Sequence, residues 1–479
     1  MNFGTIRYLL GVVLTIEAGL LLLPLGVSFI YGESVLPFLY TVLILMAIAL
    51  PNALIRPKNF RFYALDGFVT VAASWILMSL FGALPFVFSG TIPNFIDAFF
   101  ETVSGFTTTG ASIMTIIEGY PMGVLFWRSF THWIGGMGVL VFLLAILPGG
   151  EGNAIHLMRA EVPGPTKGKL VPKMRKTARI LYGIYIALTV FEIAALCIAG
   201  QPLYHAVVNS FATAGTGGFS VLNASIGGYD SPAVEWIIAV FMLIFGINFN
   251  IYFFILIGKA KAIFKNEELR TYLLIVLASV FAIAINTRGM FENIGDCIRG
   301  SFFQVATIIS TTGFATENFD LWPEFSKTVL VILMVVGACA GSTAGGLKVS
   351  RVLLLWRGMM KELRHVLRPK SVSAVRLDGE VVPEATIRGA MGYFAIYAAI
   401  IVITVLLISI DGFGLETNIT ATLACINNIG PGLADVGPTG NYAGYSYISK
   451  ILLAINMLVG RLEIMPVIIL LSPQAWKRR

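Results

Sequence analysis

Charge is scarce in this chain. Asp, Glu, Lys and Arg make up 12% of its 479 residues and hydrophobic residues 57%. An ordinary soluble domain carries about 25% charged residues, so a water-soluble globule is excluded and a polytopic membrane protein is expected. Cysteine is just as sparse. Cys197, Cys297, Cys339 and Cys425 lie far apart, each in or beside an apolar segment, and none has metal or redox spacing. The four histidines, His132, His156, His205 and His365, are scattered too, so no metal centre is expected from them. No cleavable leader is expected, because the first apolar run, about Tyr8 to Ile30, is long enough to span and has no small-residue cleavage site. His, Asp or Glu do not cluster at span ends, as a membrane enzyme would require. The chain therefore reads as no enzyme, with no catalytic residues.

The basic residues that are present say most through their placement. The net charge is +7, and the Lys and Arg collect in Arg56–Arg61, Arg159–Arg179, Lys259–Arg270, Lys348–Arg388 and Lys477–Arg479. Basic loops between apolar spans are the positive-inside signal. They place these loops, and both termini, on the cytoplasmic side, and no nucleic acid partner is expected. A spanning helix needs about 20 apolar residues. Two runs, about 8–30 and 35–55, open the chain. Thereafter one order recurs four times: a span, a short segment, a Gly-rich polar cluster, and a second span. The short segments, such as Asn94 to Phe106, hold about 12 residues and rise only about 18 Å, too little to cross. Val234 to Ile257 is expected to span. The expected fold is all-α, with ten spans and four re-entrant half-helices. Residues 1–61 form two extra N-terminal helices, and 62–160, 161–266, 267–368 and 369–479 form four membrane–pore–membrane repeats around one central pore.

The four clusters share one glycine in register. They are Ser104–Ser112, Thr213–Ser220, Ile309–Ala315 and Asn427–Gly432, aligned on Gly110, Gly218, Gly313 and Gly430. Irregular backbone at membrane depth is tolerated only when buried in protein or lining a watery cavity. Rings of backbone carbonyls replace the hydration shell of a monovalent cation, whereas divalent selectivity tends to use carboxylate rings; no carboxylate sits in any cluster. Glycine reaches the left-handed dihedrals that aim successive carbonyls at one axis. The half-helices end at the clusters, so their partial negative ends face the same path. The expected ion-binding residues are Thr108, Thr109 and Gly110; Thr216, Gly217 and Gly218; Thr311, Thr312 and Gly313; and Asn428, Ile429 and Gly430. A mouth role for Asp97, Glu101, Asp296, Glu416 and Asp435, as attractors of cations, is also open.

Three further stretches accompany these clusters: Arg128-Ser129-Phe130-Thr131-His132-Trp133-Ile134-Gly135-Gly136-Met137-Gly138 running to Leu147-Pro148, Gly337 to Lys348, and Gly460-Arg461-Leu462-Glu463-Ile464 running to Ser472-Pro473. With the clusters, they resemble the Trk/Ktr/HKT potassium transport superfamily over essentially the whole chain, most closely its bacterial TrkH/TrkG branch. The two extra N-terminal helices are unlike the eight-span KtrB branch. The resemblance implies potassium uptake across the bacterial cytoplasmic membrane, with K+ the only metal, held at the filter. A glycine at all four aligned positions goes with potassium selectivity in this superfamily. It also implies a homodimer in the lipid bilayer, each chain with its own pore, docked on a cytoplasmic TrkA-like nucleotide-binding ring. A sodium- or proton-coupled secondary cation transporter is the alternative.

The run Gly337–Gly346 holds four glycines and five Ala, Ser or Thr. Glycine costs about 1 kcal/mol in a helix interior, so this run should unwind what is otherwise one long helix. A phosphate loop is excluded because Leu347 precedes Lys348 where that motif needs Gly-Lys-[Ser/Thr], so the chain itself is expected to bind no nucleotide. The family resemblance makes this stretch an intramembrane gate, with Gly337, Gly341, Ser342, Thr343, Gly345, Gly346 and Lys348 as its members. Arg461 lies well inside the last span, where arginine is costly and faces a cavity or a partner. The resemblance puts it below the filter as a restraint on ion flow.

Overall fold

Apolar runs punctuated by Pro, Asn and Gly become helices with sharp ends. The computed structural model describes residues 2–57, 64–138, 174–258, 265–369 and 374–464, with positions 263 and 467. The chain opens with α1 (Phe3–Leu20) and α2 (Leu22–Ile30), which together form one apolar span, and returns along α1 through α3 (Leu36–Leu54). Gly11 permits that approach: a Cβ there would lie 2.7 Å from the Ala53 backbone nitrogen. Close backbone contact through small residues is how helices associate without a hydrophobic driving force.

The recurring order then begins. The first unit comprises α4 (Ala64–Gly82), α5 (Leu84–Phe88), the short α6 (Phe95–Phe106) and α7 (Met122–Gly136). The second comprises α8 (Met174–Ile198), short α9 (Leu203–Gly215), α10 (Pro232–Phe245) and α11 (Phe249–Leu256). The third comprises α12 (Glu267–Thr287), short α13 (Ile294–Ile309), α14 (Glu324–Val336) and α15 (Val349–Leu367). A small antiparallel hairpin, β1 (Arg376–Leu377) with β2 (Glu380–Val381), pairs Arg376 with Val381. The last unit comprises α16 (Glu384–Ile408), short α17 (Leu415–Ile426) and α18 (Tyr447–Leu462). Asn94 fixes the start of α6, its Oδ1 accepting the Ile96 N–H at 2.9 Å, the ordinary Asn N-cap.

Six stretches among the described residues are long and apolar enough to cross a membrane: Phe3–Ile30, Leu36–Leu54, Leu65–Phe88, Lys176–Ile198, Glu267–Met290 and Glu384–Asp411. A seventh, α10 with α11, is bent by 88°. The span expected over Val234 to Ile257 is thus built from two helices with a break between them. At the break the Asn248 side chain starts a new helix by accepting the Asn250 N–H, and Gly246 leaves room for the Tyr272 hydroxyl of α12, which a Cβ there would meet at 2.6 Å. Helix α7 stops at Gly136, before Gly138 at φ +76°, and α18 stops at Leu462, before Glu463 at φ +64°. The remainder of the expected spans from Met122 to Leu147 and from Tyr447 to Leu471 falls largely outside the described residues, as do Leu147-Pro148 and Ser472-Pro473. Most of the basic stretch Arg159–Arg179, residues 58–61 and Lys477–Arg479 lie outside them too.

Polarity is inverted relative to a soluble fold. Leu277, Phe281 and Ile285 form an exposed stripe on α12 at 65%, 69% and 62% exposure, while Thr107, Thr108, Thr109, Thr311, Thr312 and Asn428 are fully buried. The packing around that buried polar centre is cyclic. Helix α7 packs on α9, α10 on α13, α14 on α17, and α18 on α6, so each unit leans on the short helix of the next and the fourth returns to the first.

Candidate functional site

Each short helix ends the same way. The residue two before the aligned glycine is left-handed: Thr108 (φ +57°), Thr216 (+56°), Thr311 (+56°) and Asn428 (+54°). The aligned glycines follow with φ of +78°, +78°, +88° and +98° for Gly110, Gly218, Gly313 and Gly430. Between them, the N–H of Thr109, Gly217, Thr312 and Ile429 reaches back five residues, to the carbonyls of Ser104, Ala212, Thr307 and Ala424 at 2.8 to 2.9 Å. This is the Schellman helix end, which ordinarily uses glycine in the left-handed position. A β-branched residue there is an outlier, and three of the four are threonine. Strain of this kind persists where the surroundings hold it and clusters at functional sites.

The four ends meet in a closed ring. A Cβ added to Gly110 would run into the carbonyl oxygen of Gly217. One on Gly218 would meet Thr312 O, one on Gly313 would meet Ile429 O, and one on Gly430 would lie 2.7 Å from Thr109 O. The residue before each glycine thus lays its carbonyl where its neighbour's side chain would go, in the order one, two, three, four, one. Glycine is required twice over, by dihedral and by space. Among the described residues, none of these four carbonyls accepts a hydrogen bond from the protein. Buried backbone carbonyls are nearly always paired, so a ring of four unpaired ones is chemically distinct: it presents partial negative charge and nothing else.

The ring is braced from behind. Asn428 Nδ2 donates to Thr109 Oγ1 and to Met457 O, both at 2.9 Å, tying the fourth cluster to the first and to α18. The Tyr442 hydroxyl donates to Gly430 O at 2.7 Å. His132 Nδ1 lies 2.8 Å from Gly105 O, and its ring packs on Phe219 at 4.1 Å. Arg128 Nε donates to Glu101 Oε1 at 2.7 Å, and its guanidinium carbon sits 3.4 Å from the centre of the Phe219 ring. Glu101 also takes the Ser112 hydroxyl and the Ile113 N–H, each at 2.9 Å. Its exposure is 1%, so the mouth role open to Glu101 in the sequence is corrected: the carboxylate is spent holding the first cluster to α7. Asp97 pairs with Lys450 at 2.7 Å, Asp296 with Arg299 at 2.8 Å, and Asp435 accepts from Thr417 at 3.0 Å. Glu416 lies 4.0 Å from Lys327.

Directly against the ring runs the segment between α14 and α15. Gly337 (φ +67°) and Gly346 (φ +77°) cross at its neck, where a Cβ on Gly337 would be 3.0 Å from the Gly346 Cα. Gly345 N–H donates to Thr311 Oγ1 at 2.6 Å, and a Cβ at Gly345 would strike Asn427 O. The segment is also held at the α10–α11 bend: Cys339 N–H donates to Gly246 O at 3.1 Å, Thr343 Oγ1 to Phe245 O at 3.3 Å, and Phe249 N–H to Gly341 O at 3.0 Å. Ser342 Oγ donates to Cys339 O at 2.7 Å, and the buried Lys348 donates to Ala344 O.

Arg461 spans the space beneath. Its Nη1 donates to Thr343 O at 2.6 Å, and its Nη2 donates to Gly135 O and Gly136 O at 2.6 and 2.7 Å. One guanidinium from α18 therefore joins the segment after α14 to the end of α7. Two residues on, Glu463 pairs with Arg351 of α15, whose guanidinium stacks over Tyr393 at 4.1 Å.

The structure sets the four clusters in one ring and lays Gly345 of the Gly337–Lys348 run against it. The sequence reading missed several that support them: Arg128, His132, Asn248, Tyr442 and Glu268. Arg128 carried a signal, since an arginine inside an apolar helix calls for a partner and Glu101 lies in the preceding short helix. Glu268 was masked by a commonplace, because acidic residues in a first turn are ordinary dipole partners.

Comparison with known proteins gives the family and the coarse fold. The family described as "TrkH: Cation transport protein" matches residues 38–478. The chain is 35% identical over 491 residues to the Trk system potassium uptake protein TrkH of Salmonella typhimurium, covering 100% of both. It is 35% identical to the Trk system potassium uptake protein TrkG of Escherichia coli over 419 residues, covering 86% of this chain and 85% of that one. The crystal structure of the potassium transporter TrkH from Vibrio parahaemolyticus superposes with a TM-score of 0.89 at 31% identity, covering 100% of both chains.

Proposed function

Because the chain belongs to the TrkH family of cation transport proteins, a transport family rather than an enzyme family, we propose that it takes up potassium across the bacterial cytoplasmic membrane through the ring of loop carbonyls. The observation that carries this reading is the closed order of Thr109, Gly217, Thr312 and Ile429 carbonyls, each unpaired and each set against the next unit's glycine. Carbonyl oxygens in such a ring substitute for the water around K+. Thr108, Thr216, Thr311 and Asn428 sit one residue deeper and extend the same path. Four repeats divided at 62–160, 161–266, 267–368 and 369–479 account for the fourfold recurrence, with residues 1–61 outside it.

Beneath the filter, the Gly337–Lys348 segment is the gate. It occupies the path because Gly345 abuts Asn427 and bonds Thr311. Arg461 is its latch and adds a positive barrier below the carbonyls. The basic stretches at 159–179 and 348–388 face the cytoplasm with both termini, and a TrkA-like nucleotide-binding ring docks there on a homodimer; nucleotide control belongs to that partner. The test is ion flux in proteoliposomes containing this chain alone, with potassium, rubidium, sodium and lithium compared with and without opposing sodium or proton gradients. Passive potassium and rubidium flux well above sodium and lithium is expected. Equal flux of all four ions overturns the filter, and flux that requires a second ion gradient makes the protein a coupled transporter.

A further inference from the structure

Glu268 stands outside the filter and outside the gate segment, on the first turn of α12. Its Oε1 accepts the Ala340 N–H at 2.7 Å and the Ser350 N–H at 3.1 Å. Ala340 lies in the middle of the segment and Ser350 in the first turn of α15, so one oxygen clasps both sides of it. The side chain is 6% exposed. A carboxylate accepting backbone N–H bonds makes charge-assisted bonds about twice as strong as neutral ones.

The preceding residue ties α12 to the hairpin and to α15. Glu267 N–H donates to Asp378 Oδ1 at 2.8 Å, in the turn of the β1–β2 hairpin. Its carboxylate pairs with Arg357 Nη2 of α15 at 2.7 Å, and Arg357 also donates to the Arg376 carbonyl of β1. The exposed hairpin, the helix after the gate, and the gate itself therefore meet at two consecutive residues of α12.

We propose that Glu268 is a positioning residue that clasps the intramembrane segment across the path, and that the Arg376–Val381 hairpin acts on that clasp through the first turn of α12. This rests on the reading of Gly337–Lys348 as the gate. Displacing the hairpin withdraws Asp378 from Glu267, loosens the first turn, and shifts the Glu268 oxygen away from Ala340 and Ser350.

The segment carries its own reporter, Cys339, which is a buried free thiol. With Cys197, Cys297 and Cys425 changed to serine, the rate at which a methanethiosulfonate reagent labels Cys339 follows the segment's displacement. Single-channel recording of the same protein gives the open fraction. Glu268→Ala should raise both by about tenfold, the equivalent of about 1.4 kcal/mol, with the potassium-to-sodium permeability ratio unchanged. Glu268→Gln keeps an acceptor at the same reach and should rescue most of the effect. Asp378→Ala should raise both readouts and add little on top of Glu268→Ala. If Arg461→Ala raises both readouts while Glu268→Ala leaves them at the unaltered level, the clasp is refuted and the gate stands. If labelling rises in every variant but the open fraction never does, the gate reading fails and the clasp falls with it. Should Glu268→Ala not fold, Asp378→Ala decides: no change in either readout overturns the proposal.

Discussion

Replacing Gly110 with serine tests the ring most directly. At φ +78° the new side chain would sit in the left-handed region, which costs an L-residue roughly 1–2 kcal/mol. Space is the larger difficulty. The new Cβ would fall on the Gly217 carbonyl oxygen, with the Gly217 carbonyl carbon at 3.1 Å and Thr312 O at 3.7 Å. The Gly217 carbonyl must turn aside, and one of the four ring oxygens leaves its position. A dipole's net interaction with a charged group is worth about 1.5–3 kcal/mol. Only the part that differs between ions enters selectivity, so about 1–2 kcal/mol is at stake, a factor of roughly 5–30. In planar bilayers with potassium on one side and sodium on the other, a tenfold loss moves the reversal potential toward zero by about 59 mV. Gly119→Ser is the control, because Gly119 has φ +95° but nothing within 4 Å of its Cβ position; it carries the strain without the collision. An unchanged reversal potential in Gly110→Ser, or an equal shift in Gly119→Ser, would refute the account of the ring.

Other variants probe other parts of the same architecture. Arg461→Ala removes three charge-assisted hydrogen bonds beneath the filter; at about 1.5–3 kcal/mol for such a bond, potassium flux at matched protein level should rise at least about tenfold, and equal or lower flux contradicts the latch. Thr311→Val removes the acceptor of the Gly345 N–H while keeping the side-chain shape; a loss of about 1 kcal/mol should raise the single-channel open fraction about fivefold, and an unaltered open fraction argues that this contact holds nothing. Glu101→Gln leaves Arg128 buried without its charge partner, which costs about 3–5 kcal/mol. A clear fall in melting temperature in detergent is expected there, whereas Glu324→Gln, whose carboxylate is 86% exposed in its pair with Lys327, should change it little.

The parts of this structure written in local sequence were legible, and those written across the chain were not. The four short helices and their glycine ends are encoded by nearby residues, a start at Asn94, Pro202, Asn293 or Gly414 and a Gly stop around an apolar run. Hence Gly110, Gly218, Gly313 and Gly430 align from sequence alone. The unwinding of Gly337–Gly346 was legible for the same reason. The break at Gly246–Asn248 carries the same kind of local signal, a Gly followed by a helix-starting Asn. What could not be read is which carbonyl lies against which glycine, because that depends on helices packing on the next unit rather than their own. The Glu101–Arg128 pair and the Glu268 clasp fail for a related reason: their partners are 27 and 72 or more residues away, and nothing in composition distinguishes a clasping carboxylate from a helix-start carboxylate.

The closed ring also has a history along the chain. Thr109 and Asn428 are neighbours across 319 residues, and contacts of such sequence separation form late and slowly. Long chains fold unit by unit as they are synthesised, so three quarters of the carbonyl ring exists before its last wall has been made. Until α17 and α18 arrive, Gly313 lacks the Ile429 carbonyl beside it, and the Thr109 side chain lacks the Asn428 amide. Assembly of the proposed ion path is thus the closing act of biogenesis, and a chain cut short before residue 427 lacks the fourth side of the ring.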